Sequence, residues 1–144
     1  MSLGTSYDPN NVFAKIVRGE LPAIKVFDDD VALAFMDIFP QANGHTLVIP
    51  KKVGATNIFD AAEADLGPLI ERVQRVAKGV TKALNPDGVR IMQFNGAAAG
   101  QTVFHLHFHI IPIFEGASMK RHAGEKADTT QLENLAKSIR AVIK

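Results

Sequence analysis

His105-Leu106-His107-Phe108-His109-Ile110-Ile111-Pro112 is the stretch on which the reading of this chain turns. Alternate residues of a strand point to opposite faces, so the spacing predicts three imidazoles on one face and Leu106, Phe108 and Ile110 on the other. The apolar face calls for a packed layer beneath it. The imidazole face is unusual, because it takes three of the chain's five histidines within five residues. Adjacent imidazoles cannot all ionise comfortably, since like charges disfavour the charged form. At least one stays neutral near pH 7, as a general base, nucleophile or metal ligand must be.

Immediately upstream lies Asn95-Gly96-Ala97-Ala98-Ala99-Gly100-Gln101-Thr102. Small residues let backbone N–H groups approach an anion closely, and Asn95, Gln101 and Thr102 can add side-chain donors. An oxyanion cradle leading into a row of imidazoles fits phosphoryl or nucleotidyl transfer better than redox or acyl chemistry. With no acidic metal cluster beside it, the expected nucleophile is a histidine nitrogen. Two other readings stay open. His105, His107 and His109 could share one metal ion, because residues two apart on a strand can reach one zinc. The glycine loop, taken alone, is also an ordinary hairpin connection.

Further out, strand patterns cover 24–28, 31–37 and 45–50, separated by Asp29-Asp30 and by Pro40-Gln41-Ala42-Asn43-Gly44. A second pair, 89–95 and 104–114, flanks the glycine loop. Helical periodicity runs through Leu66, Leu69, Ile70, Val73, Val76, Ala77, Val80 and Leu84, with Asp60 or Asp65 as candidate caps. Pro68 argues for the later start, and Asn85-Pro86-Asp87-Gly88 for the end. A shorter helix is predicted over 12–18, placing Val12, Phe13 and Ile16 on one face and stopping at Gly19. Another follows Asp128 or Thr129, over about 128–143, through Leu132, Leu135, Ile139, Val142 and Ile143. Strands close in sequence, with too few helices for β-α-β alternation, predict an α+β fold with an antiparallel sheet of five strands.

The chain has 144 residues, 47% hydrophobic and 22% charged, which suits one globular domain over 11–144 after a flexible start at 1–10. Sixteen Lys+Arg against fifteen Asp+Glu leave a formal charge of +1 and no basic footprint for a nucleic-acid polymer. A single nucleotide is not excluded by that balance. The absence of cysteine removes disulfides, thiolate chemistry and Cys-ligated metal centres. Residues 1–6 lack the basic and apolar regions of a signal peptide, and no run approaches the roughly 18 apolar residues of a membrane helix. The expected location is the cytoplasm.

Together these segments resemble the histidine-triad (HIT) family, whose signature is His-φ-His-φ-His-φ-φ with φ apolar. The resemblance extends from about Val12 to Pro112. It takes in Val12–Ala23, Ala34-Phe35-Met36-Asp37-Ile38, Gly44–Lys52 and Gly100-Gln101-Thr102-Val103, and the spacing is most similar to the Hint branch of purine nucleoside phosphoramidases. The resemblance implies an α+β subunit that dimerises through a strand and the long helix into one ten-stranded sheet. It implies that His107 attacks the α-phosphorus of a purine nucleotide such as an AMP or GMP phosphoramidate, and that water then hydrolyses the nucleotidyl-imidazole. A backbone carbonyl near His105 would fix the His107 tautomer. His109 would contact the phosphate or assist the leaving group, and His45 and His105 would complete the cluster. Asn95, Gly100, Gln101 and Thr102 match phosphate and leaving-group positions, Asp37 the ribose contact, and Phe13, Ile16, Phe35 and Ile38 the base pocket. No cofactor is implied.

Each match has a plainer rival: the four apolar residues as core, Asp37 as a turn carboxylate, His45 as structural. The chain also departs from the family. Where many bacterial members carry a Cys pair that binds zinc with the equivalents of His45 and His105, it has Asn11 and Ala14, so no metal is expected. Residues 115–144 exceed the short tail of animal Hint proteins, and Lys120, Arg121 and His122 read either as a solvated loop or as reaching the leaving group. Dinucleoside-polyphosphate hydrolysis and nucleotide-dependent regulation with incidental hydrolysis remain alternatives.

Overall fold

The structure is a computed structural model that describes residues 3 and 6–143. The chain runs α1 (Val12–Val17), β1 (Lys25–Asp28), β2 (Ala32–Met36), β3 (Thr46–Pro50), α2 (Glu63–Leu84), β4 (Gly88–Met92), β5 (Phe108–Ile113) and α3 (Thr129–Arg140). The strands form a five-stranded sheet in the order β1-β2-β3-β5-β4, and each neighbouring pair is antiparallel. This is the α+β architecture expected from the spacing of the strand patterns. The expected flexible start at 1–10 lies partly outside the described residues. Within it, Asp8 already accepts the Asn11 N–H at 3.1 Å and so leads the chain into α1.

Both faces of the central strands are covered, which is why every residue of β2 and β3 is buried. On one face Ala32, Ala34, Met36, Val48, Phe108 and Ile110 pack against Leu69, Val73, Val76 and Val80 of α2 and Leu132, Ala136 and Ile139 of α3. The other face carries Leu33, Phe35, Leu47 and Ile49, closed by Phe13 from α1. Burying a side chain of this size stabilises the fold by roughly 1.5–3 kcal/mol, so each layer outweighs the capping and turn contributions at its edges.

Several local expectations are corrected. α2 starts at Glu63 with Ala62 as an N-cap that makes no side-chain bond, and Pro68 lies inside the helix. The missing proline N–H is tolerated because Ala64 and Pro68 are both exposed, so the Ala64 carbonyl it leaves free can bond to water. Asp60 is spent elsewhere, accepting the N–H groups of Thr56 and Asn57 at 2.9 and 3.0 Å. Val12 faces solvent, so α1 buries Phe13 and Ala14 instead of the expected trio. α3 stops at Arg140, short of Val142.

The largest correction concerns the histidine strand. β5 begins only at Phe108, because β4 ends opposite His109 at Met92 and β3 pairs no further than Val48 with Phe108. Upstream, the Leu106 N–H leaves the sheet and donates to the Ala55 carbonyl at 2.8 Å. His105 and His107 therefore stand on irregular backbone, and only His109 is held by the ladder. Leu106, Phe108 and Ile110 nevertheless enter the main core as the alternation required.

Gly44 fixes the turn that delivers His45. Its φ is +88°, and a Cβ there would overlap Leu84 Cδ1 and lie 3.2 Å from Pro112 Cγ. Gly44→Ala is expected to cost about 1–3 kcal/mol through backbone strain alone. Urea unfolding should show this as a lower midpoint at unchanged slope, and an unchanged midpoint would mean that the turn does not need glycine.

Candidate active site

Hydrogen bonding fixes which ring nitrogens carry protons. His107 Nδ1 lies 2.6 Å from the His105 carbonyl. A carbonyl only accepts, so Nδ1 holds the proton and Nε2 keeps its lone pair. A second set of constraints starts at Gln41, whose backbone N–H donates to His45 Nδ1 at 3.0 Å. His45 must then carry its proton on Nε2, which lies 2.9 Å from His109 Nδ1. That leaves the His109 proton on Nε2, a buried donor with no partner. The rings of His107 and His109 are 5.0 Å apart, so one free lone pair and one free N–H stand side by side. A phosphate presents an electrophilic centre for the lone pair and acceptor oxygens for the N–H.

Burial keeps these rings neutral. It pushes His107 down to about 4. His109 falls to about 2, first through burial and then because a charge on it would be repelled by any on His107, His45 and His122. Burial also lowers His45, against an opposing pull from Asp37, and lowers His105. The 3.4 Å approach of Asp37 Oδ2 to His45 Nε2 is thus a contact of a carboxylate with a neutral N–H.

The glycine loop is built differently from the open cradle expected. Ala97–Ala99 form a single 3₁₀ turn closed by Gly100 at φ +104°, a backbone state that favours glycine. The N–H groups of Ala99 and Gln101 donate to the Gly96 carbonyl, and that of Gly100 to Ala97. Gln101 is buried, and its amide is spent on the Thr56 and Val103 carbonyls (2.7 and 3.1 Å) and the Gly96 N–H (2.9 Å). Asn95 exchanges hydrogen bonds with Gln93 and accepts the Ile58 N–H at 3.0 Å. Buried Gln101 has to satisfy its own donors and acceptors, and half-buried Asn95 is held by its partners in the same way, so both brace the loop, and Thr102 is the exposed hydroxyl that remains.

Phe13, Ile16 and Phe35 come together in the second apolar layer, with Phe13 meeting Phe35 edge-on at 5.3 Å and His107 at 5.0 Å. Ile38 stands apart from them, 40% exposed, beside Asp37. One Asp37 oxygen accepts the Phe39 N–H at 2.8 Å. The family zinc site does not fit this chain. Asn11 and Ala14 offer no thiolates, and His105 is engaged by Tyr7 and Asn11 at Nδ1 (3.1 and 3.3 Å) and by the Pro50 carbonyl at Nε2 (3.3 Å). Nor do His105, His107 and His109 converge on one point. Among the described residues the only converging set is Asp37, His45 and His109, already linked by the contacts above.

Sequence reasoning overlooked four contributors. Tyr7 is far from His105 in sequence, and Thr56 and Asn57 resemble plain loop polars, yet both are fully buried around Gln101. Phe94 was read only as part of a strand, and its ring lies 5.1 Å from His109. Only long-range packing reveals any of them.

Known proteins match this arrangement. The HIT domain model matches residues 18–116. A Hit-like protein from Bartonella henselae superimposes with a TM-score of 0.89 at 52% identity, over 95% of this chain and 98% of that one. The adenosine 5'-monophosphoramidase hnt1 of Schizosaccharomyces pombe is 43% identical over 70% of this chain and 72% of its own length. The adenylylsulfatase HINT3 of Arabidopsis thaliana is 36% identical over 78% of this chain and 59% of its own. With its five-stranded sheet, its buried imidazole row and these relatives, the chain belongs to the HIT family of nucleotide hydrolases.

Proposed function

We propose that this protein releases a purine nucleoside monophosphate from a nitrogen substituent on its α-phosphate, through a nucleotidyl intermediate on His107. The observation that carries this reading is the neutral His107 ring, with its Nδ1–H tied to the His105 carbonyl and its Nε2 lone pair free. Nε2 attacks phosphorus, the P–N bond breaks, and water later displaces His107. His109 Nε2–H serves the phosphate oxygens, where a preorganised donor in a dry site is most effective. His45 holds the His109 tautomer, and the His105 carbonyl holds that of His107. Thr102 adds a donor at the rim, while Asn95, Gly100 and Gln101 fix the loop. Asp37 is suited to the ribose hydroxyls, with Ile16, Phe13 and Phe35 forming the apolar side and Ile38 standing exposed beside Asp37. The monophosphoramidase and adenylylsulfatase relatives support adenylyl as the retained part and the leaving group as the variable part.

The working unit in this reading is a cytoplasmic homodimer. β4 is an edge strand with Ile91 44% exposed, and Ile70 of α2 is 48% exposed, the kind of edge that a second copy covers. Sedimentation should give twice the 15.6 kDa chain mass, and Ile91→Glu should shift it toward the monomer. A monomeric parent chain would remove this element. Among the described residues no helix is long and apolar enough to cross a membrane.

His107→Gly should lower kcat for an adenosine phosphoramidate by on the order of 10³ or more while AMP affinity stays within a few-fold. Turnover at the parent rate would overturn the nucleophile assignment. The pH profile provides a separate check. Protonation destroys the Nε2 lone pair, and burial holds His107 down to about 4, so the acid limb of kcat/KM should fall only as pH approaches that value. An acid limb near pH 6.5, where a free imidazole titrates, would contradict the buried, neutral nucleophile.

A further inference from the structure

The segment after β5 stays close to the site. The Glu115 N–H donates to Asp87 Oδ2 at 2.8 Å, and the Ala127 N–H to the Ile38 carbonyl at 2.9 Å. Midway, the Lys120 N–H donates to the Gln41 carbonyl at 2.7 Å, and Gln41 Nε2 returns a bond to the Lys120 carbonyl at 3.2 Å. Two of these ties land on the turn whose Gln41 N–H orients His45. Lys120 and Arg121 point to solvent, but His122 turns inward. Its ring meets His109 at 5.3 Å and Phe94 at 5.5 Å, edge-on to both.

Both ring nitrogens of His122 are shielded from solvent and unpartnered, as is His109 Nε2. Leaving a buried polar group unsatisfied is costly, and a ligand atom beside the rings would remove that cost. The arrangement of the rings suggests which atom. His107 and His122 both meet the His109 ring, at 5.0 and 5.3 Å. In-line displacement at phosphorus places the nucleophile and the departing atom on opposite sides. With His107 as nucleophile and the His109 N–H on the phosphate oxygens, His122 is the ring of this cluster whose two nitrogens are both left for the departing atom.

We propose that His122 is a catalytic residue for leaving-group departure, its imidazolium donating a proton to the nitrogen released from phosphorus. The inference rests on His107 as nucleophile. As the His107 Nε2–P bond forms, the P–N bond breaks with its electron pair on nitrogen, and the His122 proton completes the neutral amine. His122, now neutral, takes a proton from the water that attacks phosphorus and frees His107, which restores the starting state.

The test compares two adenylyl substrates, an alkylamine phosphoramidate and the p-nitrophenyl ester, whose phenolate departs without a proton. His122→Ala removes the ring, and His122→Phe keeps its packing against Phe94 and His109 without the nitrogens. In both variants kcat/KM for the phosphoramidate should fall about 100-fold, the usual scale of general-acid catalysis, and for the ester by less than about threefold. Equal losses on the two substrates, or no loss on either, would overturn the proposal. If the unmodified chain turns over neither substrate, the His107 reading fails and takes this inference with it. If His107→Gly abolishes both reactions while the His122 variants match the parent, only the His122 role is lost.

Discussion

The 2.6 Å bond from His107 Nδ1–H to the His105 carbonyl is the constraint on which the rest of the site depends. An imidazole free to exchange tautomers would present N–H or lone pair to the substrate indifferently. Here the backbone decides, and it can do so because the chain at 105–107 has left the sheet. In a regular strand the His105 carbonyl would be committed to the ladder or directed along it. The start of β5 only at Phe108 frees that carbonyl for the ring two residues on. What looks like a defect in the strand is what makes His107 a defined nucleophile.

A parallel constraint governs the neighbouring ring. The Gln41 N–H, His45 and His109 form a directional chain that begins at a backbone donor, which cannot reverse, and ends at a bare His109 N–H. The two chains are built from different parts of the fold: the turn between β2 and β3 sets one, the approach to β5 the other. β3 and β5 are adjacent in the sheet, with Leu47 opposite His109, so the lone pair and the N–H come to stand next to each other. The apolar layer under Phe13 then removes water and keeps the rings unprotonated. Fold and chemistry are linked through burial: the packing that stabilises the second face also keeps the nucleophile neutral.

Much of this was legible in the sequence. The period-two pattern from Leu106 to Ile110 placed three apolar residues correctly in the main core, and the turn chemistry at 29–30, 40–44 and 85–88 separated the elements. Family resemblance, rather than spacing, pointed to the His105 carbonyl. The loop before the triad was misread because composition reveals small residues but not whether their N–H groups are already spent on one another. Asn95 and Gln101 are expected as donors to phosphate, and the structure holds their amides on the loop instead, because whether an amide is satisfied depends on partners some 40 residues away, such as Thr56. The opening of α2 differs from the expectation because Pro68, the sixth residue of the helix, is disruptive in a buried helix but cheap where the backbone is solvated, and exposure is a tertiary property.

The central claim is that His107 Nε2 forms a bond to phosphorus, and the most direct test is mass spectrometry of the protein quenched rapidly while it turns over an adenosine phosphoramidate. The account predicts a peptide spanning 105–111 that carries one adenylyl group on His107. A burst of released amine with His107 unmodified, or an adenylyl group on a different side chain, would contradict it.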